Sequence, residues 1–320
     1  ASFMNTLWNT YGFFILYARI DEVELSTHVE VARRPQIDRW VLSLLNETIA
    51  TTTDALDAFD ARRAGDAIEQ FVDQLSNWYV RRNRRRFWKA AMGEDKQSAY
   101  LTLYECLTTV TRLIAPFMPF VAEDMYQNLE RTRSHHAALS VHMTDWPEAN
   151  ADLIDTELLH GIDVVQRVVG LGRSAREAQS LRVRQPLAKV LVRVPDESAA
   201  QAVRTHRDQI TEELNVKEVE PLASDDGLVS YRIKPNLPRI GKRYGKLIPT
   251  IRKALDDADG KAIAAAAAAG NPVELDANGT TVTLEPDDLL VETDSASGFA
   301  CAEEGGFLVA LDSTITPELE

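Results

Sequence analysis

The sequence predicts an α+β protein: an antiparallel helical bundle followed by small mixed α/β and β-rich segments. Over residues 1–150, apolar side chains recur at i, i+3, i+4 and i+7 through several long stretches, the stripe of helices that each bury one face. Beyond Ala188 the pattern changes to short alternating runs broken by glycine, proline and an Asn-Gly pair, as in strands and hairpins. Charge divides the chain in the same way. Residues 1–150 carry 16 basic and 20 acidic side chains, and residues 151–260 carry 18 and 17. Residues 261–320 hold a single lysine, Lys261, against 12 acids, so most of the net charge of −14 lies there. We therefore expect a bundle over 1–150, a connecting helix with a small α/β domain over 151–260, and an acidic helix and hairpin segment over 261–320.

The elements follow in order. Met4, Leu7, Trp8, Tyr11, Phe14, Ile15 and Ala18 form the stripe of a first helix, which starts without a cap and reads as cut from something longer. A polar linker, Asp21 to Pro35, leads to a second helix of about twenty residues, striped by Ile37, Trp40, Val41, Leu44, Leu45, Ile49 and Leu56. Gly65 punctuates the chain, and a third helix is expected just after it. A long helix then runs from about Gln97 and stops at Ala115-Pro116-Phe117-Met118-Pro119, where Pro116 cannot continue it and Pro119 suits the first turn of a short helix over Glu123 to Leu129. Residues 131–150 read as irregular. Helical periodicity resumes from Asp152 to Gln179. A β-α-β unit follows, with strands at Ala188–Val194 and Lys217–Pro221 and one helix, Ser198–Leu214, between them. Leu247–Leu255 and an alanine-rich run to Ala269 read as helices, the latter stopped by Gly270-Asn271-Pro272. Val273–Leu275 and Thr281–Leu284 pair across Asn278-Gly279, and Gly305-Gly306 turns the chain into the strand Phe307–Leu311.

Composition excludes several classes. With 45% hydrophobic and 26% charged residues this is the profile of a globular protein. No apolar run approaches the roughly 20 residues that span a bilayer, and no signal peptide precedes Met4, so no membrane partner and a cytoplasmic location are expected. The two cysteines, Cys106 and Cys301, cannot build a four-thiolate metal site. His135 and His136 are adjacent, point to different sides and read as surface residues, so no metal ligand is assigned. Gly170-Leu171-Gly172-Arg173-Ser174-Ala175 fits the letters of a dinucleotide fingerprint, but it follows a helical pattern instead of a strand. Gly241-Lys242-Arg243-Tyr244-Gly245-Lys246 is one residue short of a phosphate loop and lacks the following Ser or Thr. It is expected to be a basic, glycine-bearing segment at the mouth of the next helix.

The stretch with chemistry is Asn77 to Lys89, N-W-Y-V-R-R-N-R-R-R-F-W-K. Guanidinium groups fork onto phosphates, and indole or phenol faces accept unstacked bases. Five arginines within six positions surround a helix instead of lining one face, since each residue advances by about 100°. The upstream stripe of Ile68, Phe71, Val72, Leu75 and Tyr79 continues onto Arg82 and Arg86, so the buried face should leave the bundle or meet an acidic or phosphate partner there. The bland reading is an aromatic-anchored helix with a solvated arginine side.

These motifs carry a resemblance. L-W-N-T-Y-G-F-F-I-L-Y-A (Leu7 to Ala18), D-R-W-V-L-S-L-L-N (Asp38 to Asn46), N-W-Y-V-R-R-N-R-R-R-F-W and I-A-P-F-M-P-F (Ile114 to Phe120) resemble the anticodon-binding bundle of class I aminoacyl-tRNA synthetases. L-R-V-R-Q-P-L (Leu181 to Leu187), the K-P-N…G-K-R-Y-G-K segment and L-V-A-L-D-S-T-I-T-P-E-L (Leu308 to Leu319) are similar to the isoleucyl-tRNA synthetase family, and the likeness covers essentially the whole chain. The family's H-x-G-H and K-M-S-K-S motifs do not occur, nor does its editing domain. The resemblance implies the tRNA-recognition part of a ligase that joins isoleucine to tRNA(Ile), uses ATP and Mg elsewhere in its chain, and is a monomer. No catalytic residue and no cofactor is expected in this segment, which should be inactive alone. Its partners would be tRNA(Ile) and the catalytic and editing domains of the same enzyme.

From the residues and the resemblance together, the candidate tRNA contacts are Asn77, Trp78, Tyr79, Arg81, Arg82, Asn83, Arg84, Arg85, Arg86, Trp88 and Lys89. For Trp78 a place in the core is the equal alternative. Arg182, Arg184 and Gln185 form a second group, and Lys234, Asn236, Lys242, Arg243 and Lys246 a third. The alternatives are a stand-alone RNA-binding module and a protein-interaction scaffold on the same bundle.

Overall fold

The computed structural model describes residues 2–89, 91–222, 227–277 and 279–314. It divides into two compact units, Ala1–Leu159 and His160–Glu320. Each is taken by itself.

The first unit is helical. α1 (Ser2–Ile20) buries Leu7, Tyr11 and Phe14, part of the expected stripe. α2 (Gln36–Asp57) buries Trp40, Val41, Leu45 and Ile49. It closes on a corner in which Phe59, at φ 58, lets its own N–H reach Leu56 O and the Asp60 N–H reach Ala55 O. That pair of bonds satisfies two end-of-helix carbonyls. The Asp60 side chain then accepts from Arg63 N at 2.9 Å and caps α3 (Ala61–Gln74). The third helix therefore starts four residues before Gly65 instead of after it, because a cap worth about 1 kcal/mol offsets one interior glycine.

From α3 the chain passes without a break through a π-turn, Leu75–Val80, into α4 (Arg81–Trp88). A π-turn puts an extra residue into the turn. The buried face consequently advances by one position. Within α4 the buried residues are Asn83 and Phe87, and Arg82 and Arg86, expected on that face, sit at its margin. α5 (Glu94–Ile114) crosses the bundle, and Pro119 opens α6 (Pro119–Tyr126), which continues as a second π-turn, Gln127–Arg131. Residues 131–150 are irregular, as expected, but anchored: Trp146 Nε1 donates to Thr53 Oγ1 at 2.9 Å and Asn150 N to Asn46 Oδ1 at 2.8 Å.

In the second unit α7 (Thr156–Ala178) carries the Gly170–Ala175 motif in its interior, so no phosphate turn exists there. Gly172 serves packing instead: a Cβ on it would lie 2.5 Å from a methyl of Leu214. β1 (Leu187–Arg193) and β2 (Val216–Pro221) are parallel, joined by two helices, α8 (Glu197–Thr205) and α9 (Arg207–Leu214), not one. The break falls at His206, which is buried over Gly161. β3 (Val229–Pro235) follows. The basic glycine-bearing segment is then helical, as α10 (Leu237–Tyr244) and a 3-10 turn, Gly245–Leu247, before α11 (Ile248–Asp257) and α12 (Gly260–Ala268). β4 (Val273–Asp276) and β5 (Thr281–Leu284) make the expected hairpin, although Asn278 at its turn lies outside the described residues. β6 (Leu289–Ser295), β7 (Phe299–Glu304) and β8 (Phe307–Asp312) complete the unit. The sheet order is β2-β1-β8-β7, with β8 antiparallel to β1, while β3 pairs with β6 as a separate ribbon. Ile233, Ile240, Ile251, Leu255, Val282 and Leu284 form a core beneath that ribbon. The C-terminal part of the L-V-A-L-D-S-T-I-T-P-E-L motif, from Ile315, lies outside the described residues. Among the described residues no helix is long and apolar enough to cross a membrane.

Two outcomes follow. Gly172→Ala should cost about 1–3 kcal/mol, the usual range for overpacking, in urea denaturation, and Leu214→Ala should lower that cost in a double-mutant cycle. Burial lowers the pKa of His206 below its ordinary value of 6.5. The unfolded chain then takes up the proton first, so stability is full above about pH 6.5 and declines as pH falls from there toward the lowered folded value. Denaturation midpoints at pH 7.5 and 5.5 should differ less in His206→Gln than in the parent.

Candidate nucleic-acid interface

The stretch Asn77–Lys89 lies on the π-turn and α4, and packing sorts its residues by direction. Trp78, Tyr79, Asn83 and Phe87 are inside, at 6%, 0%, 4% and 0% exposure. Phe87 stands edge-on between the rings of Phe13 and Tyr100, at 5.2 and 5.0 Å between centroids. Asn83 donates to Tyr79 O at 2.8 Å, which spends its amide within the helix. Asn77, Arg84, Arg85, Trp88 and Lys89 are outside. Asn77 donates to Asp73 at 2.6 Å. The Lys89 ammonium lies 6.0 Å from the Trp88 ring centroid, and Trp88 keeps 57% of its surface exposed. Arg81 and Arg82 are half-buried and cover the Trp78 ring, at 5.6 and 5.2 Å. Such contacts hold a guanidinium over an indole face with about 0.5–1 kcal/mol at exposed sites.

Arg86 is different. Its Nη1 and Nη2 fork onto Asp38 Oδ1 and Oδ2 at 2.7 and 2.9 Å, and Asp38, in the first turn of α2, has no exposed surface. Nε donates to Asp95 Oδ2 at 3.1 Å and Nη2 to Asp95 O at 2.7 Å. Nη1 also donates to Asn83 Oδ1 at 3.0 Å. Tyr79 completes the cluster by donating to Asp38 Oδ1 at 2.8 Å. Burial works against the Arg86 charge, but the hydrogen bonds and charge of Asp38 outweigh it and hold the guanidinium above the ordinary arginine value. Burial, and then the Asp38 charge, push the Tyr79 phenol well above its usual value. Burial also raises the Cys106 thiol well above its normal value, which disfavours the reactive thiolate. The sequence offered one signal for this cluster, the D-R-W at Asp38 to Trp40, because an acid among the apolar positions of a helix needs a partner inside.

The second and third groups lie in the second unit. Arg182 and Arg184 are exposed on the loop between α7 and β1, and Gln185 is half-buried. The loop is held from below by Arg176, which sequence reasoning passed over. Arg176 is 1% exposed and donates to Arg182 O at 2.9 Å, Gln185 O at 3.0 Å and Leu214 O at 2.6 Å. These partners are carbonyls, and burial lowers its pKa. Asn215, in the left-handed region at φ 50, donates to Arg184 O at 3.0 Å. Lys234 and Lys246 are exposed. Asn236 donates to Asp287 O at 3.0 Å, and Arg243 pairs with buried Asp288. Arg239 reaches Asp287 at 2.7 Å. The side chain of Lys242 lies outside the described residues. Asp287 and Asp288 of the 261–320 segment thus meet basic residues of α10 inside the unit.

Residues 38–192 match the family described as the anticodon-binding domain of tRNA ligase, the class to which this bundle belongs. Along 99% of its length the chain is 47% identical to an isoleucine–tRNA ligase of Deinococcus radiodurans, of which it covers 29%. It is 42% identical to the isoleucine–tRNA ligase of Thermus thermophilus over 98% of the chain and 30% of that protein. For the enzyme of Clostridium tetani the figures are 41%, 99% and 30%. The chain belongs to the isoleucine–tRNA ligase family, and it spans about 30% of the length of the curated relatives it matches.

The buried pair makes a stability prediction. Arg86→Ala leaves Asp38 charged and unmatched inside the bundle and should cost about 3–5 kcal/mol, the range for breaking a buried ion pair from one side. Arg84→Ala, at an exposed position, should stay within about 0.5 kcal/mol in the same urea titration.

Proposed function

We propose that this chain is the tRNA-recognition region of an isoleucine–tRNA ligase, and that its bundle receives the anticodon stem-loop of tRNA(Ile). The observation that carries the proposal is the outward set Arg84, Arg85, Trp88 and Lys89, three cations and an exposed indole on one short helix of a chain with this ancestry. Among the described residues neither Arg84 nor Arg85 forms an ion pair, so their forks can be given to phosphates. An exposed indole beside an ammonium is a stacking face for a splayed loop base, which is how single-stranded RNA is read by protein. Arg81 and Arg82 extend the cationic rim. Arg182, Arg184, Lys234 and Lys246 supply a further set in the second unit.

The parent enzyme in this reading joins isoleucine to ATP, releases pyrophosphate and transfers the aminoacyl group to the tRNA, in the cytoplasm and as a monomer. Its catalytic and editing domains are the partners of this region. This chain lacks the H-x-G-H and K-M-S-K-S motifs of the family, and we assign it no step of adenylation. Its contribution is to hold one end of the tRNA so that the other end reaches the reacting carboxyl.

Binding of transcribed isoleucine tRNA against a valine tRNA competitor, across a salt series, tests the proposal. Preference for the isoleucine tRNA is expected. Arg84→Gln with Arg85→Gln should weaken binding and flatten the log–log salt slope by about 0.7 per phosphate contact removed. Weak, equal binding to both tRNAs, unaffected by these changes, would refute the reading and leave a protein-interaction scaffold.

A further inference from the structure

We infer that Asp38, a residue with no exposed surface, is a positioning residue for RNA: through Arg86 it sets the rotation of α4 about its own axis. The inference rests on the RNA reading above and goes beyond it to a residue that can touch no ligand.

Arg86 has no donor to spare. A guanidinium carries five N–H groups, and the five are matched by Asp38 Oδ1, Asp38 Oδ2, Asn83 Oδ1, Asp95 Oδ2 and Asp95 O. The fork grips two elements besides its own, the first turn of α2 through Asp38 and the first turn of α5 through Asp95. A planar fork on a fixed carboxylate tolerates little rotation, unlike a point-charge ammonium. Rotation of α4 is therefore fixed at Arg86.

The helix geometry carries that constraint outward. At about 100° per residue, positions 84 and 88 lie nearly opposite position 86. They are also i and i+4, neighbours on one face, as are positions 85 and 89. Clamping Arg86 inward thus turns Arg84 with Trp88 toward solvent as an adjacent pair, and places Arg85 and Lys89, about 100° and 60° from Arg86 on one side, along its exposed flank. The π-turn is needed for the same result. Without its extra residue the apolar stripe would present positions 82 and 86 where Asn83 and Phe87 now pack, and the outward pairs would turn with them.

Salt-dependent binding of isoleucine tRNA by the full chain separates positioning from contact. A residue that touches phosphate takes its share of the salt slope with it, whereas a residue that orients others lowers affinity and leaves the slope. Asp38→Asn with Arg86→Gln removes both charges at once and leaves no buried ion unmatched, so the fold is retained, as thermal denaturation of the variant would verify. In this pair we expect weaker tRNA binding with the parent's slope. Arg84→Gln should instead flatten the slope by about 0.7 if it makes one phosphate contact. The environment of Trp88 gives a readout without RNA: its indole N–H resonance, assigned through Trp88→Phe, should shift in the double variant. Three results would overturn the inference: parental affinity in the folded double variant, an unmoved Trp88 resonance, or a flattened slope on Arg86→Gln alone. Failure of the parent chain to bind tRNA above its non-specific level refutes the RNA reading itself, and the inference with it.

Discussion

Asp38 is fully buried and charged, and the first unit is arranged so that this charge is answered. An isolated carboxylate in such a place would cost several kcal/mol. Here it receives a bidentate guanidinium from Arg86 and a phenol from Tyr79, which come from opposite sides of the junction between the π-turn and α4. Arg86 then reaches Asp95 at the start of α5. One carboxylate thereby ties together the starts of two helices and the whole of a third. A hydrophobic contact at the same place could hold the helices together, but being non-directional it could not fix their rotation.

The helices were legible because period 3.6 is a local property of sequence. Leu7, Trp40, Ile49, Ile68, Phe71 and Leu103 are at once the stripe and the core. What failed was phase, and it failed at one place. Counting forward from Leu75 at a constant 100° centres the buried face on Arg82 and Arg86, whereas the chain takes an extra residue between Leu75 and Val80, centres that face on Asn83 and Phe87, and leaves Arg86 at its edge, where it meets the acidic partner expected there. The composition of L-S-N-W-Y-V contains no glycine or proline to announce this. Its cause is tertiary: Tyr79 must reach Asp38 and Phe87 must reach Tyr100, contacts separated by 41 and 13 residues in sequence.

The second unit hid more, for a related reason. β1, β2 and the β4–β5 hairpin have local signatures, alternation and turn residues. β3 and β6 do not. They are each other's partners across a long separation: Tyr231 pairs with Thr293. Ribbons formed across such separations are specified by the core beneath them more than by their own alternation. The acidic segment 261–320 conceals a similar long-range pairing: Asp287 and Asp288 meet Arg239 and Arg243, and Arg243 is one of the residues that looked available for phosphate when read alone.

The arginine cluster, read as a line of letters, is one cationic feature. In the folded bundle it is two. Tyr79, Asn83 and Arg86 face acids and carbonyls of their own unit, and Arg84, Arg85, Trp88 and Lys89 face out. Under the proposed RNA reading, the division has an energetic logic. Each long side chain immobilised on binding loses about 0.5–1.5 kcal/mol of conformational freedom. A backbone that also had to find its rotation would add to that loss. With α4 clamped at Arg86 before any ligand arrives, only the outward side chains remain to be ordered. In that reading, an acid in the protein interior contributes to binding an anion outside, because the arginine it holds keeps the outward side chains in place.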